Sequence, residues 1–297
     1  MTTTNQNSTV LATKQKAIGI IGGSGPEAGI DIFAKILAQH RKKLGKSYRS
    51  DRDAPNIVLM SIADLGGPRT PIDLQPGNSE GTYDASLKAL IETVQKMLPL
   101  VDAFCLACNT LHTMETNILD TIVDADRDPS SFVSMVGETI RECQTHLKQR
   151  GIPNTKIAIL GGPATMDFSE KSRSSGKRFL EALGKDSFYL LPPREVKILQ
   201  AIIWQIKDDG RSPTSGEALE AYKCLLKDLA TKHGVSICLL NCTELPLIDI
   251  TSGRPENCLP DTTTLEFIDA TDVVASAVLD AAYNYPSTST TETTTIA

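Results

Sequence analysis

Two short patterns each occur twice in this chain. Ile20-Ile-Gly-Gly23 returns as Ile159-Leu-Gly-Gly162, 139 residues on from Ile20 to Ile159. The apolar run Phe104-Cys-Leu-Ala-Cys108 returns as Ile237-Cys-Leu-Leu-Asn-Cys242, and Cys242 lies 134 residues after Cys108. A short apolar run that ends at a polar turn suits a buried parallel strand. One supersecondary pattern is therefore written twice: strand, glycine turn and helix early, then a strand that stops on a cysteine. That predicts an α/β protein of two pseudo-symmetric units, each a mostly parallel sheet flanked by helices. Right-handed crossovers put both cysteine turns at the carboxyl edge of their sheets, where open α/β sheets hold their chemistry. Two facing units would hold one thiol on each side of a shared cleft, the expected active site.

Hydrophobic periodicity fills in the units. Strands are expected over 17–21, 56–62, 104–108, 132–136, 156–160, 188–191 and 236–242. Helices are expected from Pro26 to Leu44 and over 82–98, 111–120, 137–149, 176–183, 195–209, 217–232 and 270–283. Pro26 suits a first helical position, and Ile30, Phe33, Ile36 and Leu37 form the expected apolar face of the first helix. The division is a polar arm over 1–16, a first unit of 17–135 plus 262–283, a second unit of 136–261, and a Thr/Ser-rich tail over 284–297. Both ends are too polar to offset their ordering entropy and are expected to be disordered.

At 297 residues and 40% hydrophobic, the chain has enough material for two cores. Its net charge of −6 argues against nucleic acid as a partner, since phosphate binding needs a basic face. No apolar run is long enough to span a bilayer. Seven cysteines, an odd number mostly inside apolar segments, with no signal peptide before them, predict reduced thiols and a cytoplasmic protein.

Four chemistries fit parts of the pattern. Gly23-Ser-Gly25-Pro-Glu-Ala28 matches a dinucleotide-binding loop, but Asp64 stands about twice as far on as the ribose-binding acid should. Pro26 also removes an amide that would face a pyrophosphate. A loop that offers its amides to a small carboxylate fits better. The pairs Cys105/Cys108 and Cys238/Cys242 superficially outline a four-thiolate metal site. Cys105 and Cys238 lie within apolar runs, however, and read as core residues, as do Cys143, Cys224 and Cys258, so no metal is expected. Cys108 and His112 could form a thiolate–imidazole pair if a helix begins just past Cys108. A packing or capping role for His112 is the alternative, and no third triad member is evident.

The fourth is acid–base exchange at an amino-acid Cα, with a base on one face and an acid on the other. Thiols suit it, because a cysteine pKa of about 8.5 is brought near neutrality by amide dipoles and cations. Asn109-Thr110 after Cys108, and Thr243-Glu244 after Cys242, supply hydrogen-bonding groups where a carboxylate and a developing carbanion would sit. Arg69 and Lys207 are cations near the same rim, suited to a second carboxylate. For Lys207 the alternative is a helix-terminal lysine favoured by the helix dipole.

Taken together, Ile20-Ile-Gly-Gly-Ser-Gly-Pro26, Cys108-Asn-Thr-Leu-His112 and Cys242-Thr-Glu-Leu-Pro246 resemble the cofactor-independent aspartate/glutamate racemase family, over about residues 17–283. The resemblance implies two similar α/β domains with the active site between them, and Cys108 and Cys242 as the catalytic acid/base thiols. It also implies substrate binding by Asn109, Thr110 and Thr243, by Arg69 within Pro68-Arg69-Thr70, by Lys207 and by Thr165, with Ser24 in the first glycine loop. Ser24 stands where methionine is common, Ala63-Asp-Leu-Gly-Gly replaces a more proline-rich lead-in to Arg69, and Asn241 replaces a glycine before Cys242.

The function expected is racemisation of an acidic amino acid, aspartate before glutamate, with no cofactor and a small-molecule substrate as partner. A homodimer is left open. A single-cysteine hydrolase or isomerase of a dicarboxylate, and a non-catalytic amino-acid-binding protein, are the alternatives. The Gly/Pro-rich segment 64–81 is the candidate lid.

Overall fold

The computed structural model describes residues 16–66, 82–150, 156–210, 215–248 and 265–283. The arm up to residue 15, most of the candidate lid with Arg69, Cys258 and the tail from 284 lie outside the described residues. The first half runs β1 (Ala17–Gly22), α1 (Pro26–Leu44), β2 (Asn56–Ser61), α2 (Thr82–Met97), β3 (Ala103–Leu106), α3 (Glu115–Asp124) and β4 (Phe132–Val133). Helix α4 (Met135–Arg150) leads to β5 (Lys156–Leu160), α5 (Ser175–Leu183), β6 (Phe188–Tyr189) and α6 (Pro193–Asp209). The chain continues through α7 (Glu217–His233), β7 (Val235–Leu240), β8 (Glu266–Asp269) and α8 (Ala270–Tyr283). Among the described residues no helix is long and apolar enough to cross a membrane.

The strands form two four-stranded parallel sheets, ordered β2-β1-β3-β4 and β6-β5-β7-β8. The two orders are the same once β5 is matched to β1, as the duplicated sequence predicts. In each sheet the chain moves outward one way from its first strand and then crosses to the other side. The crevice at that reversal, at the carboxyl ends of β1 and β3 and of β5 and β7, is where a doubly wound sheet binds ligands.

Apolar side chains pack on both faces of both sheets. Ile18, Ile20 and Ile21 of β1 are fully buried, as a strand covered on two faces requires. On one face of the first sheet, Ile32 and Ile36 of α1 meet Val274, Val278 and Leu279 of α8. The face of α1 is thus set by Ala28, Ile32, Ile36 and His40, while Ile30 is 61% exposed. Ile30 lies roughly 200° around the helix from Ile32, on the side away from the sheet. The other face carries α2 and α3. The second sheet packs α4 and α5 on one face, through Val136, Cys143, Leu147 and Phe179, and α6 and α7 on the other.

Segment assignments change as well, and the helix expected over 111–120 is a 3₁₀ turn over Thr110–Met114 followed by α3. Segment 262–283, given by sequence to the first unit, divides: β8 is the edge strand of the second sheet, and α8 packs on the first. The strand expected over 132–136 stops at Val133, because the Ser134 hydroxyl accepts from the Gly137 amide at 3.1 Å and caps α4.

A charged cluster marks where the units join. Lys35 on α1 donates to Asp31, Asp269 and the Thr271 hydroxyl at 2.6, 2.5 and 2.6 Å. Asp269 also caps α8 by accepting from the Thr271 amide at 2.8 Å. Burial works against the Lys35 charge, but Asp269 and then Asp31 outweigh it and raise its pKa. Lys35→Met would leave two carboxylates facing each other without a cation. We expect it to cost on the order of 2 kcal/mol, read as a lower urea midpoint with an unchanged m-value.

Candidate active site

One cavity of about 470 Å³ lies where the carboxyl ends of the two sheets meet. Its wall takes Ser24, Cys108, Asn109 and Thr110 from the first half of the chain, and Thr165, Lys207, Cys242 and Thr243 from the second. Every site residue expected from sequence is on this wall except Arg69, which lies outside the described residues.

The first glycine loop is shaped by what crosses it. Gly25 has φ 110°, and a Cβ there would stand 2.5 Å from Glu244 Oε1 and 3.1 Å from Lys207 Nζ. A side chain at Gly25 would therefore collide with groups from the other unit. Gly23, with φ 120°, leaves no room either, because a Cβ would stand 2.0 Å from the Ile62 carbonyl oxygen. The loop faces an ion pair, Glu244 with Lys207.

Past β3, Cys108 is 6% exposed and Asn109 2%. A short 3₁₀ turn follows, and it settles the role of His112. The backbone amide of Met135 donates to His112 Nε2 at 3.1 Å, so that nitrogen is the acceptor. The proton is then on Nδ1, which donates to the Cys108 carbonyl oxygen at 2.8 Å. Both ring nitrogens are spent on backbone, and none remains for the Cys108 sulfur. Burial drives the His112 pKa down to about 4, with the neighbouring Glu115 opposing. His112 joins the Cys108 turn to the start of α4 and is not half of a thiolate–imidazole pair.

Past β7, Cys242 Sγ donates to Glu244 Oε2 at 2.9 Å, and the Thr243 hydroxyl donates to the same oxygen at 3.3 Å. The other carboxylate oxygen is ion-paired with Lys207. Lys207 also donates to the Ser24 carbonyl oxygen at 3.4 Å, so one ammonium spans both units. Burial opposes the Lys207 charge, but Glu244 and then the sulfurs of Cys242 and Cys108 hold its pKa up. The Cys242 thiol is pushed well above its usual range, first by burial and then by the Glu244 carboxylate, with Lys207 pulling the other way.

Three wall residues carry more than the sequence reading gave them. Glu244 was read only as a hydrogen-bonding neighbour of Cys242, yet it organises the second half of the site. The side-chain amide of Asn241, like that of Asn109, is buried without a hydrogen-bond partner among the described residues, and both residues line the cavity. Trp204 is 42% exposed on the wall, three positions before Lys207 on α6. That helical spacing put it beside Lys207, and it was the usable signal.

Cys105, Cys143 and Cys238 are in the cores, where burial raises each pKa to about 12. Cys105 and Cys238 belong to separate clusters, so the pairs Cys105/Cys108 and Cys238/Cys242 do not converge on one ion. No cluster of three or more metal-ligating side chains occurs among the described residues. Cys224, read from sequence as core, is exposed on α7.

The buried His112 makes a pH prediction. An unfolded histidine titrates near 6.5 and this one near 4, so between those values the unfolded chain binds more protons. Its contribution to stability is complete above pH 6.5 and is lost as pH falls towards 4. The loss is on the order of 2–3 kcal/mol. Urea titrations across this range should show it, and His112→Leu should flatten the dependence by up to one proton.

No protein-family model matches the sequence, and no curated protein matches it. Solved structures do match. An aspartate racemase homologue from Pyrococcus horikoshii OT3 superposes with TM-score 0.58 at 19% identity, over 90% of this chain and 98% of that one. A Yersinia pestis protein assigned as an Asp/Glu racemase gives TM-score 0.62 at 21% identity, over 90% and 98%. A glutamate racemase isoform from Bacillus anthracis gives TM-score 0.55 at 15% identity, over 90% and 83%. At these identities the likeness is one of fold: the fold of this chain is the fold of these aspartate and glutamate racemase structures.

Proposed function

We propose that the protein is a cofactor-independent racemase of an acidic amino acid, aspartate in the first place and glutamate in the second. The observation that carries this reading is that Cys108 and Cys242 end equivalent strands of two like sheets and line the same cavity. Binding alone needs no thiol in either place.

In the reaction, one cysteine acts as thiolate and takes the proton from Cα. The electron pair of the broken C–H bond spreads into the α-carboxylate. The opposite thiol then delivers its proton to the other face, and the roles of the two sulfurs are exchanged. Donors aimed at the carboxylate stabilise that developing charge. Asn109, whose buried side-chain amide has no hydrogen-bond partner among the described residues, Thr110 and Thr243 would be those donors, and their position on the cavity wall supports this. The amino end of α1 adds a favourable dipole for an anion. Lys207 has three donors, of which Glu244 and Ser24 use two, leaving one for the side-chain carboxylate of the substrate. Arg69, from the resemblance, would clamp the same group.

Incubation of each enantiomer of aspartate and glutamate in deuterium oxide tests this, with Cα exchange followed by NMR and handedness by chiral chromatography. We expect exchange and inversion together, with Cys108→Ser and Cys242→Ser each about 10²–10⁴-fold slower. No exchange with any of the four, or full activity in the double variant, would sink the reading.

A further inference from the structure

The two thiols sit in unequal surroundings. Two positions after Cys242 comes Glu244, while two positions after Cys108 comes Thr110. Glu244 is 2% exposed, with Oε2 accepting from Cys242 and Oε1 paired with Lys207. An ionised carboxylate can only accept, so the proton in this hydrogen bond resides on sulfur. We propose that Glu244 is a positioning residue that holds Cys242 as the protonated thiol of the empty enzyme. Cys242 is then the first proton donor and Cys108 the first base, so the resting enzyme is set for one enantiomer. That consequence rests on the racemase reading; the protonation bias itself does not.

The charges around the site are consistent in sign. Among the described residues, the titratable and charged ones on the cavity wall besides Cys242 are Glu244 beside it, Lys207 and Asp208 on α6, Glu27 at the start of α1, and Cys108 past β3. Lys207 is within electrostatic reach of both sulfurs, so it does not by itself distinguish them. Glu244 does, because it is bonded to one sulfur only. In the first turnover the Cα proton moves to the Cys108 sulfur and the Cys242 proton moves to the opposite face of Cα. The Cys242 thiolate left behind faces the Glu244 carboxylate, and this like-charge contact favours uptake of a proton from water by Cys242 while Cys108 releases its own to water. The pair is thereby reset before the next substrate.

The test is the pH dependence of iodoacetamide labelling of the full chain without substrate, with each cysteine peptide quantified by mass spectrometry. Glu244→Gln keeps the shape and removes the negative charge, and it should lower the midpoint for Cys242 by about one pH unit, roughly tenfold faster labelling below the midpoint. Lys207→Met should raise that midpoint. A site that had merely loosened would move both variants the same way, towards a free cysteine. An unmoved or raised midpoint in Glu244→Gln, or a fall in both variants, overturns the proposal. The catalytic consequence is read by single turnover with enzyme in excess: one enantiomer exchanges without a lag, and Glu244→Gln shrinks the difference between the two. Shifted labelling midpoints with no exchange of any substrate would keep the Glu244 assignment and remove the racemase reading instead.

Discussion

Each half of this chain is finished by a helix that follows the other half's sheet. Helix α4 comes after β4 of the first sheet, yet its Val136, Cys143 and Leu147 pack under the second. Helix α8 comes after β8 of the second sheet, yet Val274, Val278 and Leu279 are buried under the first. The two helices also touch each other. Burying each of those aliphatic side chains contributes about 1.5–3 kcal/mol, so the exchange is a substantial part of both cores. Neither sheet is covered without the other's helix. The reciprocal exchange constrains how the two sheets face each other, and their carboxyl ends meet across the cavity.

Polar ties follow the same route. Lys35 joins α1 to the β8–α8 junction, Arg178 on α5 pairs with Glu115 on α3, and Lys207 on α6 reaches the Ser24 carbonyl. In these partly buried pairs Coulomb attraction is set against desolvation, so the net gain of each is small even where losing one partner is costly. Their effect here is one of position. Glu115 begins the helix that follows the Cys108 turn, and Lys207 neutralises the carboxylate that holds Cys242. Contacts that keep the units together therefore also set the surroundings of each thiol.

The sequence carried the parts of this architecture that repeat or that saturate a strand with apolar residues. Cys108 and Cys242 were legible because buried parallel strands run apolar to their ends, and Gly23 and Gly162 because the turn recurs. Strand β8 was missed because it is four residues long with only Ile268 buried. The end of β4 was misplaced because Phe132-Val-Ser-Met-Val136 is apolar enough for a strand, although Ser134 is a helix cap by residue type. The pairing of Lys35 with Asp269 spans 234 positions and leaves no periodic trace. His112 could be placed near Cys108, but its engagement with backbone at both ring nitrogens needed the position of α4. Glu244 was in plain view beside Cys242, and what the sequence lacked was the approach of Lys207 from α6.

Trp204 is the chain's single tryptophan, and it lies on the cavity wall one helical turn from Lys207. The indole emission of the whole protein therefore arises at one point, beside the group that bridges the two units. The six tyrosines emit at shorter wavelength and can be left unexcited. Filling or emptying of the cavity, or a change in its charge, alters the polarity around that ring. The unlabelled chain thus carries its own optical gauge of what its cavity holds.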